Sequence, residues 1–184
     1  FAILYSYIFL LMNIMMLKYM EVFMSLTNHY PFATIPLNYN LSSFEDFLDF
    51  QTLSIHYNQI YKEFVDDLNF ILSTEISLQK LTLDEILFNE KILSPFRKND
   101  IIKYAGGVYN HQIVFRSITP NPIVSICPEL KKAIENKYKT MRDFYLEFKK
   151  ACLAMTTCGY VFLVCDEKCR SEERRVGKEC RSRW

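Results

Sequence analysis

Between Leu53 and Ile71 the apolar residues fall at positions 53, 57, 60, 61, 64, 68 and 71, with Asn58, Lys62, Glu63, Asp66 and Asp67 between them. That recurrence is the period of a helix with one buried face, and it limits what the chain can fold into more than any other feature. His56, Ile60 and Phe64 climb successive turns at the edge of that face, which sets the imidazole toward the interior. A second stretch repeats the arrangement. Ile101, Tyr104, Val108, His111, Phe115 and Ile118 are spaced like a heptad stripe, with His111 in a stripe position. Two long helices, each with one inward histidine, can bring both imidazoles to a single point. An inward histidine has two readings, a hydrogen-bonded core residue or a metal ligand. Neither helix carries a His-x-x-x-His or Glu-x-x-His pair, so spacing alone leaves both readings open.

The 184 residues suit one domain, or one domain and part of another, and a hydrophobic content of 50% is enough for a sizeable core. The formal charge of +1 hides a difference between body and tail. Without the seven Lys/Arg and four Asp/Glu that follow Asp166, the body carries 15 basic and 17 acidic residues, a net of −2. A near-neutral body without a basic stripe argues against nucleic acid as a partner. The six cysteines (Cys127, Cys152, Cys158, Cys165, Cys169 and Cys180) show no paired framework. Reduced thiols inside a cell are the expectation.

Residues 1–30 read as an apolar leader, or as upstream sequence translated in frame with Met20 or Met24 as the start. The apolar run to Leu17 is short for a membrane helix, has no positive region before it and no small-residue cleavage site after it, which argues against a membrane. Pro31 to Tyr39 is an extended, proline-marked lead-in. Ser42-Ser43-Phe44-Glu45 reads as a helix start, from which the central helix runs to about Leu72. Thr82 caps a short helix, and Pro95 separates it from a second long helix from near Asn99 to the Thr119-Pro120-Asn121-Pro122 break. Then come helices from Pro128 to about Lys137 and from Thr140 to about Met155, and a strand, Gly159 to Cys165. Two helices feeding one strand open an α/β domain, and a single strand makes no sheet. The expected divisions are 1–30, a helical-hairpin domain over 31–121, an incomplete α/β domain over 122–166, and a charged tail over 167–184. That tail shows no apolar periodicity and reads as translated adapter sequence.

Several motifs stand in order along the chain. Leu37-Asn38-Tyr39 and Phe44-Glu45 precede the first helix, and Gln51-Thr52-Leu53-Ser54-Ile55-His56 carries the first histidine. Ala105-Gly106-Gly107-Val108-Tyr109-Asn110-His111 carries the second, closed by Thr119-Pro120-Asn121. Phe144 to Ala151 and Gly159 to Val164 follow. From about Ile35 to Asp166 this series resembles the iron/manganese superoxide dismutases, with manganese-type members weakly favoured and the chain a C-terminally truncated copy. The resemblance implies an α+β fold: an N-terminal two-helix antiparallel hairpin, then the start of an α/β domain, with two helices and the first strand only.

It also implies an enzyme that converts superoxide to oxygen and hydrogen peroxide at a mononuclear Mn or Fe site. His56 and His111 would be two of four protein ligands. The other two, an Asp and a His, lie in an Asp-x-Trp-Glu-His-Ala-Tyr motif that this chain does not contain, so the chain as given is expected to be inactive. Around the ligands, Ile60, Phe64, Gly107, Phe115, Tyr160 and Phe162 would surround the metal. Family members usually have a His at position 60 and a Tyr at 64, a hydrogen-bonded gate on the substrate channel; here that gate is apolar. Gly107 stands where iron-type members often have Gln, while manganese-type members have Gly. The implied assembly is a homodimer or tetramer when full length, in the cytoplasm or mitochondrion. An alternative is a catalytically dead relative that serves as a structural subunit, as in mitochondrial ribosomes.

Overall fold

The computed structural model describes residues 29–121, 126–156, 159–165 and 171–177. The leader expected over 1–30 therefore lies outside the described residues, apart from its last two. The chain divides into two compact units, with the boundary after Arg116.

The first unit is built on one helical rod in three parts: α1 (Phe50–Ile55), a π-helical turn (His56–Tyr61) and α2 (Lys62–Leu72). The rod starts later than the Ser42-Ser43 pair suggests. Asn40, not a serine, caps a single 3-10 turn over Leu41–Phe44. The rod then has its own cap: Asp49 accepts from the Thr52 N–H at 2.8 Å, and Glu45 Oε1 accepts from the Phe50 N–H at 3.1 Å. Two carboxylates satisfying orphan donors at this point make it the stronger start.

The π turn changes which residues face inward. Hydrogen bonds from i to i+5 bring the fifth residue, not the fourth, back to the same face. Tyr61 is accordingly fully buried and His56 nearly so. Ile60, expected beside Phe64 on the edge of the buried face, is instead 37% exposed. Beyond the turn, Val65, Leu68, Ile71 and Leu72 continue the buried stripe.

Thr82 caps α3 (Leu83–Phe88) with a capping box: its hydroxyl accepts from Glu85 N–H, and Glu85 Oε2 accepts from Thr82 N–H at 2.8 Å. A 3-10 turn, Glu90–Ile92, leads to α4 (Lys98–Ser117), whose buried stripe includes Ile101, Ala105, Val108, His111 and Phe115. The rod and α4 run antiparallel, since rising positions on one meet falling positions on the other: His56 meets Phe115, Tyr61 meets His111, and Phe64 meets Tyr104. The lead-in is stitched to the rod through its main chain. Asn69 pairs with both the N–H and the carbonyl of Phe32, at 2.7 and 2.8 Å. Ile35 donates to the Tyr61 hydroxyl and accepts from that of Tyr57.

In the second unit, Cys127 caps α5 (Pro128–Tyr138) and Thr140 caps α6 (Met141–Leu153). Ile134, Phe144, Ala151 and Cys152 are buried, and Phe144 packs among Tyr138, Tyr145 and Phe148. The strand β1 (Gly159–Cys165) has a partner, contrary to the expectation of a lone strand. β2 (Ser171–Gly177), inside the charged tail, pairs with it antiparallel, from Gly159 opposite Gly177 to Cys165 opposite Ser171. Such a ladder is made by main-chain groups, so a segment without apolar periodicity can still supply it. The described chain is thus mostly helical with one two-stranded sheet. Among the described residues, no helix is long and apolar enough to cross a membrane.

Candidate metal centre

His56 and His111 meet between the rod and α4. Their ring centroids are 4.9 Å apart and their planes nearly perpendicular, at 83°. His56 comes from the first residue of the π turn and His111 from the middle of α4. Aromatic rings surround the pair. Tyr61 lies parallel to His111, with centroids 5.3 Å apart and planes 2° apart, and Phe64 is tilted against it at 5.2 Å. Phe115 packs on His56 at 5.3 Å and also meets Tyr57 and Tyr61.

Both imidazoles are held neutral. Burial pushes His56 down to about 3, and the neighbouring His111 adds to the effect. Burial pushes His111 down to about 4, partly opposed by the Gly107 carbonyl. Desolvation penalises the charged form of a base, so the proton leaves first. His111 Nδ1 stands 2.6 Å from that carbonyl, one turn back on α4. A carbonyl only accepts, so Nδ1 carries the hydrogen and the ring lone pair sits on Nε2. A neutral imidazole oriented through its other nitrogen is what a metal ligand requires.

Gly107 has a second role. A Cβ built on it would fall onto the Phe64 ring, 2.6 Å from Cγ and closer still to Cδ1 and Cε1. The missing side chain is what lets Phe64 reach His111. The expected surrounding residues thus separate into three sets. Phe64, Gly107 and Phe115 touch the histidine pair or pack beside it, and Ile60 turns outward. Tyr160 and Phe162 belong to the second unit, where their rings stack on one face of β1 at 5.9 Å. Tyr57 and Tyr61 were legible only as stripe residues. Tyr61 is five places from His56, a spacing that joins two residues on one face only when the helix contains a π turn.

The described residues contain no group of three or more His, Cys, Asp and Glu able to hold a metal. Two neutral nitrogen donors packed among aromatic rings fit part of the coordination sphere of a transition-metal ion, for which imidazole is a suitable ligand.

An antiparallel helical pair that closes on one histidine from each helix is a helical-hairpin domain. Residues 31–119 match the family model described as iron/manganese superoxide dismutases, alpha-hairpin domain. Over that stretch the chain is similar to the iron/manganese superoxide dismutase family. It is 28% identical over 137 residues to the Mn superoxide dismutase of Buchnera aphidicola from Acyrthosiphon pisum, covering 73% of this chain and 64% of that protein. Identity is 27% over 128 residues with the Mn superoxide dismutase of Listeria innocua, covering 70% and 63% respectively. With that of Escherichia coli it is 26% over 132 residues, covering 71% and 63%. The chain spans a little under two thirds of the length of these relatives.

Proposed function

We propose that His56 and His111 are two of the protein ligands of a single manganese or iron ion, and that the protein to which this chain belongs dismutates superoxide. The observation that carries the reading is the convergence of two neutral imidazoles from antiparallel helices, one with its tautomer set by the Gly107 carbonyl. The remaining ligands of such a site, an Asp and a His in the family, come from its sheet domain. Glycine at position 107 and the names of the relatives above favour manganese weakly over iron. The ion, when bound, supplies one-electron oxidation and reduction of superoxide.

The residues of this chain have three tasks in that chemistry. His56 and His111 bind through neutral nitrogens. Tyr61, Phe64 and Phe115 exclude water from the ligand rings. The Gly107 carbonyl accepts the hydrogen bond donated by His111 Nδ1–H. Phe64 has no hydroxyl and relays no proton. A second reading draws on that same feature. Phe64 and the outward Ile60 leave the gate positions without acid–base groups, as suits a structural subunit that has lost catalysis.

Elemental analysis of the purified full-length protein, alongside circular dichroism, separates the two. The enzyme reading expects manganese or iron at close to one ion per subunit. His56→Ala and His111→Ala should each lose most of it while keeping their helical signal. Full-length protein that purifies free of both metals, with His56→Ala behaving as an ordinary core deletion, would establish the structural-subunit reading instead.

A further inference from the structure

We propose that Tyr61 is a positioning residue for His111, and that the π turn His56–Tyr61 is the element that delivers it. The proposal rests on reading His111 as a metal ligand. Three observations carry it. The Tyr61 ring stacks parallel to the imidazole, with planes 2° apart and centroids 5.3 Å apart. Tyr61 is itself immobilised: its side chain is fully buried, and its hydroxyl accepts the Ile35 N–H at 3.2 Å. Finally, a regular α-helix would present Ile60 on the face of His56, whereas the i to i+5 geometry presents Tyr61.

The hydrogen bond from Nδ1 to the Gly107 carbonyl does not orient the ring by itself. That bond weakens steeply once its angle falls below about 120°, so a group that restrains the ring plane protects both the tautomer and the direction of Nε2. The Tyr61 ring, stacked on the face of the imidazole, restrains that plane, and Phe64, tilted by 38° against the same imidazole, adds to the restraint. The hydroxyl and the ring of Tyr61 thus have separable duties. The hydroxyl satisfies a buried main-chain donor and serves stability; the ring sets the direction of the His111 lone pair.

The test uses the whole chain, in which histidines are only three, His29, His56 and His111, so their ring nitrogens are readily distinguished by proton–nitrogen correlation NMR. The metal-free protein should show His111 as the Nδ1–H tautomer, with ring protons shifted upfield by the Tyr61 face. Tyr61→Phe should keep that tautomer and hold Co2+, titrated by its absorption bands, within about twofold of the parent, while melting at lower temperature. Tyr61→Leu should give mixed tautomers and weaken Co2+ by about tenfold or more, the usual loss when a ligand's support is removed. Tyr61→Leu with the parent's tautomer and Co2+ affinity would overturn the proposal, however far its melting point falls. If Tyr61→Leu does not fold, the parent and Tyr61→Phe decide: no upfield shift, or a mixed tautomer in Tyr61→Phe, overturns it. A tautomer that responds to Tyr61→Leu in a chain that binds no Co2+ upholds the positioning role, and metal content of the full-length protein then decides the ligand reading.

Discussion

At the scale of the residue, the two buried histidines tie stability to pH. Their folded-state values, about 3 for His56 and about 4 for His111, lie below the ordinary 6.5. Between those limits the unfolded chain binds more protons than the folded one, so stability falls as pH drops below about 6.5. For the metal-free chain the loss should reach about 2 kcal/mol per histidine at pH 5, from the difference of about 1.4 kcal/mol per pH unit. Urea unfolding at pH 7 and pH 5 measures it, and replacing both histidines by Gln should remove that part of the slope. Gly107 supplies a sharper test. Gly107→Ala should gain about 1 kcal/mol from helix propensity and lose about 1–3 kcal/mol by overpacking against Phe64. The net effect should be destabilising in the parent and stabilising in a Phe64→Ala background. A Gly107→Ala effect of the same sign in both backgrounds would mean that Phe64 is not seated on the glycine.

Elements here begin and end where side chains or backbone conformation settle the orphan groups. Asp49, Thr82 and Thr140 each accept from a main-chain N–H three residues on, and each starts a helix. The end of α5 is less favourable. Lys139 closes it at φ 71°, while its N–H still bonds to the Glu135 carbonyl at 2.9 Å. A side chain at positive φ is strained, and glycine is the residue that adopts it freely. Lys139→Gly should therefore stabilise the chain by about 1 kcal/mol, read as a higher denaturant midpoint with unchanged slope. An unchanged or lower midpoint would indicate that the turn relaxes in solution.

For the molecule as a whole, the pairing of β1 with β2 decides how the second unit meets solvent. Val161 is buried, and its strand includes Tyr160, Phe162, Leu163 and Val164. A strand of this composition with an unpaired edge is a template for association with other chains. Ending the chain at Cys165 removes β2 and should convert a monodisperse protein into oligomers or aggregates on size-exclusion chromatography. A truncated chain that elutes as a monomer would show that the edge is protected some other way. The recurring feature is that a partner without apolar pattern can still perform a structural task, because what it contributes is main chain.

The sequence by itself determined the two amphipathic helices, their histidines, the Thr82 cap and the proline breaks. Each follows from interactions within a few residues: stripe periodicity, a hydroxyl reaching an N–H three places on, or a ring that blocks a helix. The ordered motifs also carried the resemblance to the iron/manganese superoxide dismutases. Tertiary structure decided the rest. No local propensity predicts a π turn at His56, since its i to i+5 bonds are made worthwhile by burying both His56 and Tyr61 against α4. The same turn put Ile60 outside and Tyr61 on His111, reversing the order that a regular helix implies. Gly107 reads as a mild helix weakness until Phe64, 43 positions earlier in the sequence, is found lying on it. The role of β2 was hidden for a similar reason: strand pairing joins segments through backbone groups that every residue but proline carries, so nothing in Ser171 to Gly177 announces it.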